Sequence, residues 1–210
     1  MKILFFGDSI TDAGRDRTAD FEDASYGNGY VKYVVENLLA NGYDRKELIN
    51  RGISGNRIVD LYARIKTDCW NLQPDFISIL IGVNDVWHEI DGTNGVELDR
   101  FEKVYRMLIE DTRAKLPNVR FMLIEPFVLK GGATARDEER WQGFLSVYDY
   151  AAVVKRLAEE YGLYYLPLQN KLSAAESANI AAILADGVHP AVNGAKLIAE
   201  EWLKKFEEIK

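Results

Sequence analysis

The chain has 210 residues, 48% of them hydrophobic and 28% charged, a composition suited to one soluble domain with a sizeable core. Its formal net charge of −7 argues against nucleic acid or an anionic membrane surface as a partner. The single cysteine, Cys69, excludes an intrachain disulfide, and no apolar run reaches the length of a membrane span.

In chain order, residues 3–6 read as a first buried parallel strand, and further apolar runs at 47–50, 76–81, 120–125 and 163–166 read the same way. Helical patterns fall between them at 29–41, 57–71, 98–115 and 147–161. A last helix at 192–207 follows His189-Pro190 and turns Ala195, Leu197, Ile198, Trp202 and Phe206 toward the core. Segments 12–28, 89–97 and 130–140 read as loops; the third, with Gly131-Gly132 and mixed charges, reads as a lid or an interface arm. This alternation predicts an α/β fold, a parallel sheet with helices on both faces, in one domain over 1–210. Cys69 lies in a helical pattern beside Trp70 as a small apolar filler. The first strand opens at the amino terminus and Asp8 interrupts its apolar run, so no secretory signal is visible and cytoplasmic residence is expected.

The chemistry gathers where strands end. Phe6-Gly7-Asp8-Ser9-Ile10-Thr11 closes the first strand, and the carboxyl end of a strand is where open α/β sheets bind ligands. Asp186-Gly187-Val188-His189-Pro190 lies near the end of the chain. Together the two segments hold a serine, a histidine and an acid, the groups that nucleophilic acyl transfer needs. The chain has only two histidines, His88 and His189, and His88 lacks metal-ligand spacing, so it reads as a bystander. Pro190 biases His189 toward an extended backbone, and one loop can carry both acid and base.

Two further segments suit the same chemistry. Ile49-Asn50-Arg51-Gly52-Ile53-Ser54-Gly55-Asn56 follows the second strand, and Gly82-Val83-Asn84-Asp85 follows the third. An acyl-transfer site needs donors aimed at a developing oxyanion, and a glycine amide or an uncharged asparagine amide can supply them. Read singly, Gly52 is also a turn glycine and Asn84 also a helix N-cap.

These four blocks resemble the SGNH (GDSL) hydrolase family, with order and spacing matching over essentially the whole chain: Gly7-Asp8-Ser9-Ile10-Thr11, Gly52 within Asn50-Arg51-Gly52, Gly82-Val83-Asn84-Asp85 and Asp186-Gly187-Val188-His189-Pro190. The resemblance implies a three-layer α/β/α sandwich of flavodoxin-like type with about five strands. It implies Ser9 as nucleophile, His189 as base and Asp186 as the acid that orients it. The implied oxyanion donors are the Ser9 and Gly52 amides and the Asn84 side chain. It implies neither metal nor organic cofactor. Gly-x-Ser-x-Thr departs from the Gly-x-Ser-x-Gly elbow of other α/β hydrolases. A narrower resemblance, carried by Gly7 to Arg15, Gly29-Tyr30-Val31, Arg51 to Asn56, Ile81 to Trp87 and Glu125-Pro126-Phe127, is to the intracellular acetylxylan esterases of that family. It implies a small acylated carbohydrate as partner, with homo-oligomerisation left open. Asp8, Trp87, Phe127 and Tyr26 are the candidate substrate-binding residues, and Trp141 is a further aromatic that can line a cleft. The competing readings are a thioesterase or lysophospholipase of the same superfamily and a non-catalytic sugar-binding module.

Overall fold

The five apolar runs form one sheet in the computed structural model, which describes residues 1–178 and 183–209. The strands are β1 (Ile3–Gly7), β2 (Leu48–Gly52), β3 (Phe76–Leu80), β4 (Arg120–Ile124) and β5 (Tyr164–Leu166). Their order is β2-β1-β3-β4-β5, and every pairing is parallel. Strands β1, β3 and β4 are mostly apolar on both faces and nearly all buried, as a sheet covered on each side requires, while edge strand β2 adds Asn50 and the half-buried Arg51 to its apolar Leu48 and Ile49. Gly7 pairs with both Gly52 and Leu80, so the carboxyl ends of β1, β2 and β3 finish level. The chain passes from β1 outward to β2 and then restarts on the other side at β3. That reversal is where an open α/β sheet leaves a crevice for a ligand.

The helices are α1 (Ser9–Asp12), α2 (Tyr30–Ala40), α3 (Ile58–Ala63), α4 (Ile65–Asp68), α5 (Val83–Gly92), α6 (Leu98–Lys115), α7 (Glu138–Phe144), α8 (Val147–Tyr161), α9 (Gln169–Ser177) and α10 (Val192–Glu207). Helices α2 and α10 pack together on one face, where Phe5, Tyr30, Phe76, Trp202 and Phe206 form an aromatic cluster. The Trp202 indole N–H donates to Ser78 Oγ at 2.8 Å, which satisfies the one polar side chain in β3. Helices α3, α6 and α8 pack on the other face, with the Phe101 and Tyr150 rings 4.9 Å apart. The layers are therefore α/β/α around a contiguous core. Among the described residues no helix is long and apolar enough to cross a membrane.

The structure departs from the expected elements in four places. The helix expected at 57–71 is interrupted at Arg64, giving α3 and α4 and then a short 3-10 turn at Trp70–Leu72. At the interruption the Arg64 guanidinium lies over the Phe6 ring and donates to Gly7 O at 3.1 Å and to Asn56 Oδ1 at 2.7 Å. Asn84 and the first residues of the expected loop 89–97 belong to α5, which ends at Thr93 in the left-handed region. Helix α9 is an addition; its first amides, of Leu168 and Gln169, are capped by Glu125 Oε2 from the end of β4, a tertiary cap with no local signature. The segment 130–140, expected as a loop, is partly helical and tied to the site loop. Its first half, with Leu129 just before it, lies against the Asp186 loop: Leu129 N donates to Gly187 O and Ala133 N to Asp186 O, both at 2.9 Å, and its last residues start α7.

Candidate active site

Asp8 ends β1 by capping α1: its Oδ1 accepts from Ile10 N at 2.9 Å. Ser9 is thereby the first residue of a short helix, where the backbone amide has no intrahelical acceptor. Its hydroxyl lies 2.8 Å from His189 Nε2. His189 Nδ1 lies 2.6 Å from Asp186 Oδ2, while Asp186 Oδ1 accepts the amides of Val188 at 2.9 Å and His189 at 2.7 Å. The loop is closed by an antiparallel bridge between Leu184 and Pro190, so residues 181 apart in sequence number, Ser9 and Pro190, flank one histidine. Burial opposes ionisation of Asp186, but hydrogen bonds from the His189 ring and the two amides outweigh it and hold the carboxyl below the usual carboxylate value. An ionised Asp186 keeps the proton on Nδ1 and leaves Nε2 free to take the Ser9 proton.

The third wall comes from the turn after β2. Ser54 N and Oγ donate to Asp12 Oδ2 at 2.9 and 3.1 Å, which ties the turn to α1. The Asn84 side-chain amide donates to Asn56 O at 3.0 Å, and Ile58 N donates to Asp85 Oδ1 at 3.0 Å, which tie it to α5. Gly55 stands at the tip with φ +82°, a conformation that favours glycine. Ser9, Gly55, Asn84, Trp87, His88 and His189 face one open cleft of about 720 Å³. Among the described residues, the Gly55 amide donates to no protein acceptor.

Several expected site residues move. Gly52 does not face the cleft: its amide is already given to Asn50 Oδ1 at 2.8 Å, and its Cα packs against the backbone of Thr11 and Asp12. The glycine amide available to an oxyanion is therefore that of Gly55, three residues on, beside the Asn84 amide. Asp8 is 1% exposed and sits beneath the cleft as a helix cap, so it cannot touch substrate. Burial pushes its carboxyl up to about 7, and its Oδ2 has no hydrogen-bond partner. Phe127 is 0% exposed in the core. Tyr26 is buried elsewhere, its hydroxyl donating to Arg45 O at 3.2 Å. Trp141 packs against the core with the Lys130 ammonium 5.4 Å from its ring. Of the expected contacts only Trp87 lines the cleft, its ring 5.9 Å from the His189 ring. His88, read as a bystander, lines it too. The signal that reveals these two is helical spacing: Asn84, Trp87, His88 and Asp91 recur at i, i+3, i+4 and i+7 once α5 is known to begin at Val83. Among the described residues no group of three or more His, Cys, Asp or Glu side chains is arranged to hold a metal.

Known proteins of similar sequence and fold define the family. The model of the GDSL-like lipase/acylhydrolase family matches residues 5–197. The chain is 36% identical to an acetylxylan esterase of Geobacillus stearothermophilus, over 98% of this chain and 93% of the relative. A solved structure of a GDSL-like lipase from Parabacteroides merdae superposes with a TM-score of 0.89 at 36% identity, covering 98% of this chain and 94% of that one. A variant of an acetyl xylan esterase from Geobacillus stearothermophilus superposes with a TM-score of 0.80 at 36% identity, covering 97% and 93%. The protein is thus a carboxylic ester hydrolase. It belongs to the GDSL-like lipase/acylhydrolase family, whose five-stranded α/β/α fold it shares.

Proposed function

We propose that the protein is a serine esterase that removes short acyl groups, acetyl above all, from hydroxylated carbohydrates, with acetylated xylose or xylo-oligosaccharides as the substrate class. The observation that carries the reading is the hydrogen-bonded series Ser9–His189–Asp186 opening onto a cleft walled by Trp87, in a chain 36% identical to an acetylxylan esterase along nearly its full length.

The geometry supports a two-step hydrolysis. Ser9 Oγ attacks the ester carbonyl as His189 Nε2, 2.8 Å away, takes its proton. Asp186 holds the imidazole in the required tautomer and stabilises the imidazolium. The developing oxyanion is met by the Ser9 amide at the start of α1, the Gly55 amide and the Asn84 side chain, which costs little reorganisation because each donor is tied to the scaffold. Asn84 Nδ2, bonded to Asn56 O in the free enzyme, presents its second hydrogen to the oxyanion. The imidazolium then protonates the departing sugar oxygen as its bond to the acyl carbon breaks, which releases the free hydroxyl. Water, deprotonated by the same nitrogen, cleaves the acyl-enzyme and releases acetate. No step needs a metal or an organic cofactor.

The test is a series of p-nitrophenyl esters from acetate to octanoate, run beside acetate release from acetylated xylo-oligosaccharides. The proposal expects the rate to fall as the acyl chain lengthens and acetate to appear from the saccharide. A long acyl tail would recover about 0.8 kcal/mol per buried methylene in an apolar channel. Rates that climb with chain length would replace the deacetylase reading with that of a thioesterase or lysophospholipase.

A further inference from the structure

The cleft-facing side of α5 runs outward from the reaction centre. Asn84, Trp87, His88 and Asp91 span about 10 Å along its axis, at 1.5 Å per residue. Three of the four have their polar groups engaged within the protein. Asn84 holds Asn56 O. The Trp87 indole N–H donates to Asp91 Oδ2 at 2.7 Å, and Arg140 Nη1 donates to Asp91 Oδ1 at 2.5 Å. His88 differs. It is half-buried on the cleft wall, yet its ring nitrogens have no hydrogen-bond partner among the described residues. Asp60 feels the His88 ring through space, without a hydrogen bond between them. A Cβ placed on Gly55 would lie 4.0 Å from His88 Nε2 and meet nothing nearer. The imidazole therefore lies beside the turn whose amide the mechanism assigns to the oxyanion. Beside it, Asn94 is fixed by Arg57, which donates to its backbone oxygen at 2.7 Å and to its Oδ1 at 3.0 Å, and its side-chain amide hydrogens have no acceptor among the described residues.

We propose that His88 is a specificity-determining contact that hydrogen-bonds a hydroxyl of the saccharide leaving group, with the Asn94 amide as a second polar contact further out. The inference rests on the carbohydrate esterase reading above. A neutral imidazole offers one donor and one acceptor, and a sugar hydroxyl can serve either. Trp87, next in the chain, supplies the apolar ring face that a sugar also requires. A simple alkyl or aryl ester presents no hydroxyl to His88, so the contact discriminates between alcohols and leaves the acyl group unread. His189 cannot share this task, since both its ring nitrogens are held by Ser9 and Asp186.

The experiment compares wild type, His88→Leu and His88→Gln on an acetylated xylo-oligosaccharide and on p-nitrophenyl acetate, reading the ratio of the two kcat/KM values. His88→Leu should lower that ratio by about 3- to 10-fold, the range for one neutral hydrogen bond, through a higher KM for the saccharide. His88→Gln, which keeps a donor and an acceptor, should recover most of it. Free xylo-oligosaccharide, tested as a competitive inhibitor of p-nitrophenyl acetate hydrolysis, should weaken by the same factor in His88→Leu and less in His88→Gln. A ratio and an inhibition constant both unchanged in His88→Leu would overturn the assignment, as would an equal fall in kcat on both esters. A wild type that hydrolyses p-nitrophenyl acetate but releases no acetate from any saccharide would overturn the carbohydrate reading itself, and this assignment with it.

Discussion

Replacing Gly52 with alanine should be chiefly a packing lesion. A methyl group there would lie 2.2 Å from Asp12 N, 2.5 Å from Thr11 C and 2.7 Å from Asp12 Cα, against ordinary contacts of 3.4–4 Å. All three are backbone atoms, so no side chain can swing aside; β2 and α1 must separate by about 1 Å, which belongs at the upper end of the ~1–3 kcal/mol cost of overpacking. At roughly 2–4 °C per kcal/mol for a chain of this size, the melting temperature should fall by about 5–10 °C. Gly55→Ala is the control. Its methyl group meets only His88 Nε2, at 4.0 Å, and the left-handed backbone costs about 1 kcal/mol, or roughly 2–4 °C. Thermal melting by circular dichroism is the assay, because Ser9 rides on α1 and activity would fall in Gly52→Ala for either reason. A Gly52→Ala protein that melts within about 2 °C of wild type, or above Gly55→Ala, would refute the close approach of β2 to α1 and restore Gly52 as a candidate donor.

Ser9→Ala should abolish ester hydrolysis, by at least about a thousandfold, with the melt unchanged, because its half-buried hydroxyl bonds only His189 among the described residues; activity within tenfold of wild type (on the order of 1 kcal/mol) would remove Ser9 as nucleophile. Asn84→Ala should lower kcat by about a hundred- to a thousandfold with little change in KM, the pattern of a lost oxyanion donor; a raised KM at constant kcat would make Asn84 a ground-state contact instead. Asp8→Asn tests the buried cap. The folded state holds the Asp8 proton up to about pH 7, whereas the unfolded chain releases it near 3.8. Stability from this group is therefore full below that lower value and is lost as pH rises to about 7, by up to ~4 kcal/mol. Asparagine still accepts from Ile10 N but carries no such proton, so the melting temperature of Asp8→Asn should gain on wild type between pH 4.5 and 7.5 (a window set by about 3.8 and 7). A constant difference across that range would show that Asp8 is ionised in the folded protein.

Much of this protein was legible in its residues because apolar period and strand-end chemistry are local properties. Strands β1 to β5 coincide with five sequence runs, the first four nearly all buried, and the alternation with helices determines a covered parallel sheet. Ser9, Asp186 and His189 could be named because serine at a strand end and an acid three residues before one of only two histidines are scarce patterns. What sequence spacing could not decide is which neighbour takes each hydrogen bond. Gly52 and Gly55 are equally good glycines on paper; only the fold shows that Asn50 claims the first amide and that the second opens on the cleft. Trp87, Phe127 and Tyr26 are equally good aromatics, but two of them fill the interior, because burial of a large ring is worth more than its exposure at a rim. His88 reads as idle in the sequence because no metal-ligand spacing surrounds it; it is a cleft residue because α5 starts at Val83 and turns the 84-87-88-91 face toward Ser9. Periodicity and composition determine which elements form. The closure of distant segments onto one sheet edge decides which polar groups are used up inside the protein and which are left for a substrate.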